Sequence, residues 1–384
     1  MLVLFALGFR PFFLLSALFA IVSIAVWVPT FVGWLPMSSY YGQIGWHSHE
    51  MIFGYTAAVI AGFLLTSVRN WTEMATPKGW SLALLAFIWC LGRILPFFPS
   101  AFSGELIALV DLSFLPALAV GIGVPLLRRG DRRNLLFLPL IAVFWLTNIL
   151  VHLAILGFVT DLAHQTVILG LDLVVLLIVI MGGRVIPFFT ERALPGVLIK
   201  RWSAIEWLAI ISVIGFTLAE FLFIDPRIAG GFAGIAAIAN GMRLGGWYAH
   251  QLWRVPLLWV LHLGYGWIVA GFMLKIGSAL AVIPPQFTLH AFSLGAIGVL
   301  TLGMMARVSL GHTGRPLKVG PGMAIAFAAV NLAAVTRGLL PILHPQWFPQ
   351  LVMLSGVFWL VAYAIFVVVY VPILVQPRVD GKSG

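Results

Sequence analysis

Charged residues are scarce in this chain of 384 residues. Asp, Glu, Lys and Arg together make up 9% of it, whereas 62% of the residues are hydrophobic. A soluble domain carries roughly a quarter charged residues, so the composition excludes a soluble enzyme, a disordered protein and a nucleic-acid reader. The formal net charge of +10 is instead typical of a membrane protein whose cytoplasmic loops are rich in Lys and Arg.

Cysteine occurs once, as Cys90. A single cysteine excludes an internal disulfide framework and any metal site built from four cysteines. The sequence has no C-x-x-C-H for a covalently attached c-type haem, no P-loop, no dinucleotide-binding glycine motif and no nucleophilic-serine motif. Any chemistry therefore belongs to a bound metal or to a noncovalently held haem.

Long apolar stretches dominate the chain, and twelve of them are long enough to cross a bilayer as helices, which takes about 20 residues. Pro, Gly or clustered charges separate them. The eighth stretch is the weakest because it is glycine-rich and contains Arg243; if it does not span, every later helix changes sides. The predicted spans are 5–28, 46–66, 80–98, 105–127, 134–157, 160–182, 203–223, 228–250, 256–276, 286–306, 320–340 and 350–374.

The basic residues predict the orientation of these helices. With the amino terminus inside, most Lys and Arg residues fall on the cytoplasmic side, including the RRGDRR loop at 128–133, as the positive-inside rule requires. We therefore predict an all-α polytopic membrane protein with about twelve transmembrane helices, both termini cytoplasmic and a single domain over 1–384. No internal repeat is evident, and the first apolar run is expected to remain as a membrane anchor.

Nine histidines are the most informative feature. A polar side chain in hydrocarbon is costly unless it has a partner, and histidine is both the commonest metal ligand and the usual axial ligand of haem iron. His262 falls in the inner half of its helix, and His250 and His312 fall at the inner face. The other six share the outer side, which predicts a metal or haem site in the outer half of the bundle; the alternative is that each makes one interhelical hydrogen bond. These six are His47, His49, His152, His164, His290 and His344.

Helical geometry sharpens the choice among the histidines. His47 lies on one stripe with Gly54 and Gly62, so we expect it to face the bundle interior. His49 is about 200° away on an ideal helix, so the two cannot share one metal unless His47 precedes the first regular turn. Asn148 shares a helix face with His152. The predicted metal ligands are His47 and His290 first, then His49, His152 and His164, with His262 in a further, inner candidate site.

Several charges fall inside the predicted spans. Asp111 and Asp172 would each cost a few kcal/mol, of the order of 3, if unpaired. Arg93 and Arg337 lie near the outer face of the membrane. Three roles are open to these arginines: pairing with Asp111 or Asp172, holding haem propionates, or extending to the lipid headgroups. Glu50 follows the outer histidines and can orient an imidazole or pass protons. Glu50, Asp111 and Asp172 are therefore candidate catalytic proton carriers, and Arg93 and Arg337 are candidate cofactor-binding residues.

Four segments resemble motifs of the NnrS family: WHSHEMIFGY (46–55), GGRVIPFFT (182–190), LHLGY (261–265) and HAFSLGAIGVLTLGMMARVSLGHTGRPL (290–317). The resemblance spans nearly the whole chain. It implies a bacterial inner-membrane protein that contains haem and copper and is linked to denitrification and to resistance against nitric oxide. It supplies no ligand set, so the residues above rest on depth and helix face. The motifs include His47, His49, His262, His290 and His312.

Three functions are consistent with these features. In the first, a b-type haem with copper nearby binds nitric oxide, or processes it or a nitrosyl adduct, using an unidentified electron donor. Haem–copper oxidases share this general plan, but their paired H-H is missing here and H-x-H occurs only at 47–49. In the second, the protein transports metal, haem or another solute, with Asp111, Asp172 and Arg243 as coupling residues. In the third, it is a haem-binding sensor or accessory subunit without turnover. Membrane lipid is a partner in all three.

Overall fold

The computed structural model describes residues 2–159, 162–222 and 224–382. Over these ranges the chain is helical, without strands, and contains twelve long helices, which confirms the all-α prediction. They are α1 (Phe9–Phe31), α2 (Gln43–Thr72), α3 (Trp80–Ile94), α4 (Gly104–Arg129), α5 (Phe137–Ile155), α6 (Ala163–Ala193), α7 (Ser203–Phe221), α8 (Pro226–Trp247), α9 (Pro256–Ala279), α10 (Pro285–His312), α11 (Pro321–Gly338) and α12 (Phe348–Val375).

Eleven of these helices are long and apolar enough to cross a membrane, so the protein is a multi-pass membrane protein. Helix α8 is the exception among the described helices. Its 22 residues are sufficient in length, but glycine and Arg243 lower its hydropathy. The small residues allow close packing, since a Cβ on Gly230 would lie 2.7 Å from Ala279 of α9. Whether both termini share the cytoplasmic side depends on α8 and stays a prediction.

Contacts divide the chain into two units. The first comprises residues 1–170, 305–317 and 366–384, and the second comprises 171–304 and 318–365. Helices α1 to α5 thus belong to the first unit, and α7 to α9 and α11 belong to the second. The single transmembrane domain expected over 1–384 stays a prediction.

Two helices contain a π-helical segment, at Glu50–Thr56 in α2 and at Ala291–Gly298 in α10. A π segment leaves carbonyls without their usual helical partner and is frequent at functional sites. In α2, Trp89 Nε1 donates to the carbonyl of Gly54 at 3.0 Å. In α10, the Tyr363 hydroxyl lies 3.4 Å from the carbonyl of Gly298.

A buried arginine organises the polar interior of the second unit. Arg243 of α8 is 2% exposed; it pairs with Glu206 at 2.8 Å and donates to the Tyr265 hydroxyl at 2.7 Å. The glycines that open GGRVIPFFT make room for this pair. A Cβ on Gly183 would overlap the Arg243 guanidinium, and one on Gly182 would lie 2.8 Å from the Tyr265 ring. Close packing against Arg243 and Tyr265 therefore explains the two glycines of this motif.

Replacing Gly183 by Ala tests this explanation. The added methyl displaces Arg243 from Glu206, so we expect unfolding in detergent at a temperature several degrees lower, for a loss of about 2 kcal/mol. Gly231→Ala is the matched control, because a Cβ there meets nothing within 4 Å. Equal melting temperatures for the two variants would show that Gly183 is not needed for packing.

Candidate metal site

Four neighbouring helices of the first unit each contribute a polar side chain to one buried cluster. His49 and Glu50 stand where α2 enters its π segment and are fully buried, with 0% exposure. Asp111 of α4 and His152 of α5 are almost as completely buried. Arg93 reaches the cluster from the last turn of α3. So many buried polar groups in an apolar bundle are stable only if they satisfy one another.

His49, Asp111 and His152 present their ligand atoms to a common point. One atom from each lies within 4.8 Å of the other two, and within the described ranges this is the one group of three or more His, Cys, Asp or Glu side chains that could hold a metal ion. Asp111 Oδ2 lies 3.5 Å from His49 Nε2 and 3.1 Å from His152 Nε2. Two imidazoles and a carboxylate at this spacing can coordinate a transition metal.

Arg93 bridges the two carboxylates of the cluster. Its Nη1 donates to Glu50 Oε2 at 2.6 Å, and its Nη2 donates to Asp111 Oδ1. Gly54 makes this approach possible, because a Cβ there would lie 2.8 Å from Arg93 Nη1. With neutral imidazoles, one guanidinium and two carboxylates leave the cluster with a formal charge of −1. A buried charge of this kind calls for one further positive charge.

The hydrogen bonds of His49 indicate where that charge belongs. Its Nδ1 lies 3.2 Å from Glu50 Oε1, and its Nε2 lies 2.9 Å from Asn148 Oδ1. The orientation of the Asn148 amide is set by Asp111, whose Oδ2 accepts from Asn148 Nδ2 at 2.7 Å. Because a neutral imidazole has only one N–H, one ring nitrogen of His49 would face an acceptor without a hydrogen. The arrangement is satisfied by an imidazolium or by a metal cation at Nε2.

Two tyrosines of the loop before α2 surround the histidines. The Tyr40 hydroxyl contacts His152 Nδ1 at 3.2 Å, and burial, with the charge of Glu105, raises the pKa of Tyr40 to about 12, so this hydroxyl keeps its proton. The Tyr41 ring stacks on His49 with centroids 4.0 Å apart. Its hydroxyl is buried without a hydrogen-bond partner. Burial raises the pKa of Tyr41 well above its ordinary value.

These tyrosines were not among the residues expected from the sequence. They precede the helix, where neither depth nor helix face can be assigned, and the only signal was a Tyr pair next to a histidine-bearing helix. The predicted residues Glu50, Arg93, Asp111, His49 and His152, by contrast, all meet in the cluster.

His47 and His164 do not contribute to this group. His47 stacks on Trp27 of α1, with ring centroids 4.4 Å apart and planes 5° apart. The stripe expected to run from His47 through Gly54 and Gly62 faces α1, since a Cβ on Gly54 would lie 3.0 Å from Phe19 and one on Gly62 would lie 2.8 Å from Phe13. His164 is exposed at the start of α6. Metal ligation by either histidine stays a prediction.

The remaining predicted residues lie in the second unit. His262 contacts two backbone carbonyls, at 3.0 Å from Leu258 and 3.4 Å from Trp247. His290 Nδ1 lies 2.7 Å from the carbonyl of Gln286. Asp172 is 3% exposed, and its Oδ2 has no hydrogen-bond partner. The Arg337 guanidinium lies 5.0 Å from the centroid of the Phe348 ring.

Removing the Arg93 bridge is expected to destabilise the protein strongly. Arg93→Gln leaves Glu50 and Asp111 buried without their cation, and breaking a buried pair in this way costs about 3 kcal/mol or more. Thermal unfolding in detergent measures the loss. The control is Arg201→Gln, since the Arg201–Glu191 pair is 3.0 Å long but exposed and is worth at most about 1 kcal/mol. Similar losses for both variants would contradict a special role for Arg93.

Comparison with known proteins agrees with the motifs. A search of curated proteins found no match. The family model described as NnrS protein matches residues 3–378, nearly the whole chain. This multi-pass membrane protein, with its buried His49–Asp111–His152 cluster, belongs to the NnrS family.

Proposed function

We propose that the protein is a membrane metalloprotein of the bacterial inner membrane that holds haem b and copper and serves in the response to nitric oxide. The observation that supports it most is the buried His49–Asp111–His152 group, in which His49 faces acceptors with both ring nitrogens. Haem, copper and nitric oxide come from the family resemblance, and the donor set agrees with a redox metal.

The donor set suits copper. Imidazole nitrogens are good ligands for copper, iron and zinc, and a set of three protein ligands leaves coordination positions for a small molecule. A cation at His49 Nε2 replaces the missing proton and compensates the cluster charge of −1. Two imidazoles with a carboxylate also suit iron(II); the family resemblance favours copper.

The surrounding residues position the ligands. Glu50 orients His49 through Nδ1, and Tyr40 does the same for His152, as hydrogen-bond partners of metal-bound histidines generally do. Arg93 holds Asp111 and Glu50 in place through its two ion pairs. A bound metal would supply nitric oxide binding and electron transfer. Nitric oxide is small and uncharged, so it can reach a buried site through the bilayer without a water-filled channel.

Asp172 remains a candidate proton carrier in the second unit. Its Oδ2 is buried without a hydrogen-bond partner, and a neighbouring ion pair joins Lys275 of α9 to Glu220 of α7. Such buried ionisable groups in membrane helices frequently mark proton pathways. The electron donor is unidentified.

Metal analysis of the purified protein tests the copper site. We expect bound copper in a fixed ratio in the wild-type protein and at least a tenfold loss of affinity in His152→Ala and Asp111→Asn, because each removes a ligand. His250→Ala is the matched control, since His250 is exposed and outside the cluster.

Nitric oxide titration of the same samples, followed by optical and electron paramagnetic resonance spectra, tests the functional part. A nitrosyl signal in the wild-type and His250→Ala proteins supports it. Full copper content in both cluster variants would refute the site, and a metal-loaded protein that forms no nitrosyl adduct would refute the nitric oxide role.

Copper affinity is also expected to fall as the pH is lowered, because protons compete with the metal for the imidazole nitrogens of His49 and His152. Copper titrations at several pH values measure this change. His49→Gln, which lacks one of these nitrogens, should bind copper more weakly and with a smaller dependence on pH. A wild-type affinity that does not change with pH would contradict coordination by these histidines.

A further inference from the structure

The last part of the longest motif, GHTGRPL at 311–317, lies outside the candidate metal site. It begins at the end of α10 and continues into the loop before α11. His312 Nε2 lies 3.5 Å from Asn70 Nδ2 near the end of α2, and its ring packs beside Phe9 at the start of α1, with centroids 5.8 Å apart. The motif therefore stands where the ends of three helices of the first unit meet.

The segment that follows α12 packs onto this motif. Arg378 Nη1 donates to the carbonyl of His312 at 2.7 Å. Gly314 makes room for the segment, because its backbone adopts the left-handed region, with φ at 74°, and a Cβ there would lie 2.7 Å from Asp380. The end of the chain and the motif thus form one continuous surface.

Arg10 of α1 connects the beginning of the chain to the same surface. Its side chain is fully buried, and Nη1 donates to the carbonyls of Leu374 at 2.7 Å and Gln376 at 2.8 Å. These carbonyls lie at the end of α12, where helical partners are missing and a positive charge is favourable. The contact places a guanidinium at the point where α12 ends.

Four arginines converge on this surface, and we term them the basic cluster. Arg315 of the motif and Arg378 lie close enough to Arg10 for their charges to repel. Arg378 and Arg69 of α2 both lie within electrostatic range of His312. The members of the basic cluster are Arg10, Arg69, Arg315 and Arg378. Like charges gathered in this way are unfavourable unless an anion lies among them.

Asp380 adds a carboxylate to the surface, but Arg378 engages both of its oxygens. Arg378 Nε donates to Oδ1 at 2.9 Å, and Nη2 donates to Oδ2 at 2.5 Å. These hydrogen bonds hold the pKa of Asp380 at about 2, so its charge is always present. In the part of the chain that the structure describes, no ion pair joins Arg69 or Arg315 to an acid. Four guanidiniums and one carboxylate leave a formal charge of +3.

Arg315 is the member of the basic cluster that most needs an anionic partner. Its Nη1 is buried and has no hydrogen-bond partner among the described residues. A guanidinium N–H that is shielded from water without an acceptor is costly, and neighbouring positive charges add to the cost. The backbone N–H of Arg315 donates to the carbonyl of Leu310 at 3.0 Å, which fixes the turn that carries the side chain. An anion beside Nη1 would satisfy the donor and reduce the repulsion.

We propose that the basic cluster binds a phosphate group with a net negative charge, supplied by an acidic phospholipid headgroup or by a soluble phosphate. Phosphate oxygens match the planar donors of arginine, and basic pockets between transmembrane helices are suited to acidic lipid headgroups. The positive-inside rule predicts that this face is cytoplasmic. The inference needs neither the metal nor nitric oxide, so it goes beyond the proposed function.

Lipid binding to the purified wild-type protein tests the site first. The delipidated protein in a neutral detergent is titrated with phosphatidylglycerol, which is anionic, and with phosphatidylcholine, whose phosphate is balanced by choline. Bound lipid is counted by native mass spectrometry. We expect phosphatidylglycerol to bind about tenfold more tightly, with an affinity that falls as salt is added.

Competition identifies the source of the phosphate. Inorganic phosphate is added to the complex with phosphatidylglycerol, and chloride at equal ionic strength is the control. Displacement by phosphate but not by chloride supports a site for a soluble phosphate, whereas retention of the lipid in both supports a headgroup site.

Variants of Arg315 connect binding to the cluster. Arg315→Gln should weaken phosphatidylglycerol binding at least about tenfold, and Arg315→Lys should keep part of the affinity. Arg254→Gln is the matched control and should bind like the wild type, since Arg254 is also predicted on the cytoplasmic side but is exposed and belongs to the second unit. Without lipid, Arg315→Gln should unfold at the same temperature as the wild type or higher, because it removes one of several like charges.

Three results would overturn the proposal. Equal affinity of the wild type for the two lipids needs no variant and would show that net charge is not recognised. Equal weakening by Arg315→Gln and Arg254→Gln would show that the lipid is attracted to basic loops in general. A lower unfolding temperature of lipid-free Arg315→Gln would show that Arg315 serves a structural contact within the chain.

Discussion

The Arg93 bridge between Glu50 and Asp111 is the interaction on which the candidate site depends. Two buried carboxylates in an apolar bundle would repel one another and take up protons without a cation between them. The bidentate guanidinium holds both in place, which leaves one Asp111 oxygen for His49, His152 and Asn148. Gly54 is required for the approach, so the backbone of α2 is as much a part of the site as its side chains.

The same principle explains the polar interior of the second unit. Arg243 has Glu206, and the half-buried Lys275 has Glu220, so an acid of α7 compensates each of these two cations. Ion pairs inside a membrane protein are expensive to leave incomplete. The candidate metal site therefore lies where the first unit leaves a charge unbalanced, since its cluster lacks one cation.

A cluster of this kind combines metal binding with proton movement. His49 lies between Glu50 and the acceptors Asn148 and Asp111, so a proton and a metal would compete for its Nε2. The surrounding aromatic rings, including Tyr41 and Phe53, cover the imidazole and keep water from it. A small uncharged ligand can enter such a site, whereas hydrated ions meet a barrier.

The sequence alone determined the membrane fold and most of the site's residues. Length and hydrophobicity define helices that must satisfy their own backbone in lipid, and histidines or acids in such helices are conspicuous because they are costly there. His49, Glu50, Arg93, Asp111 and His152 could be named on these grounds. The contribution of Tyr40 and Tyr41 could not, because loop geometry has no periodic signal.

Only the tertiary structure decided which of these residues meet. On α2, His47 faces Trp27 of α1, whereas His49, about 200° away on an ideal helix, joins Asp111 and His152. Which helices meet at His49 depends on how α2, α4 and α5 pack, and no periodic pattern in the sequence specifies that.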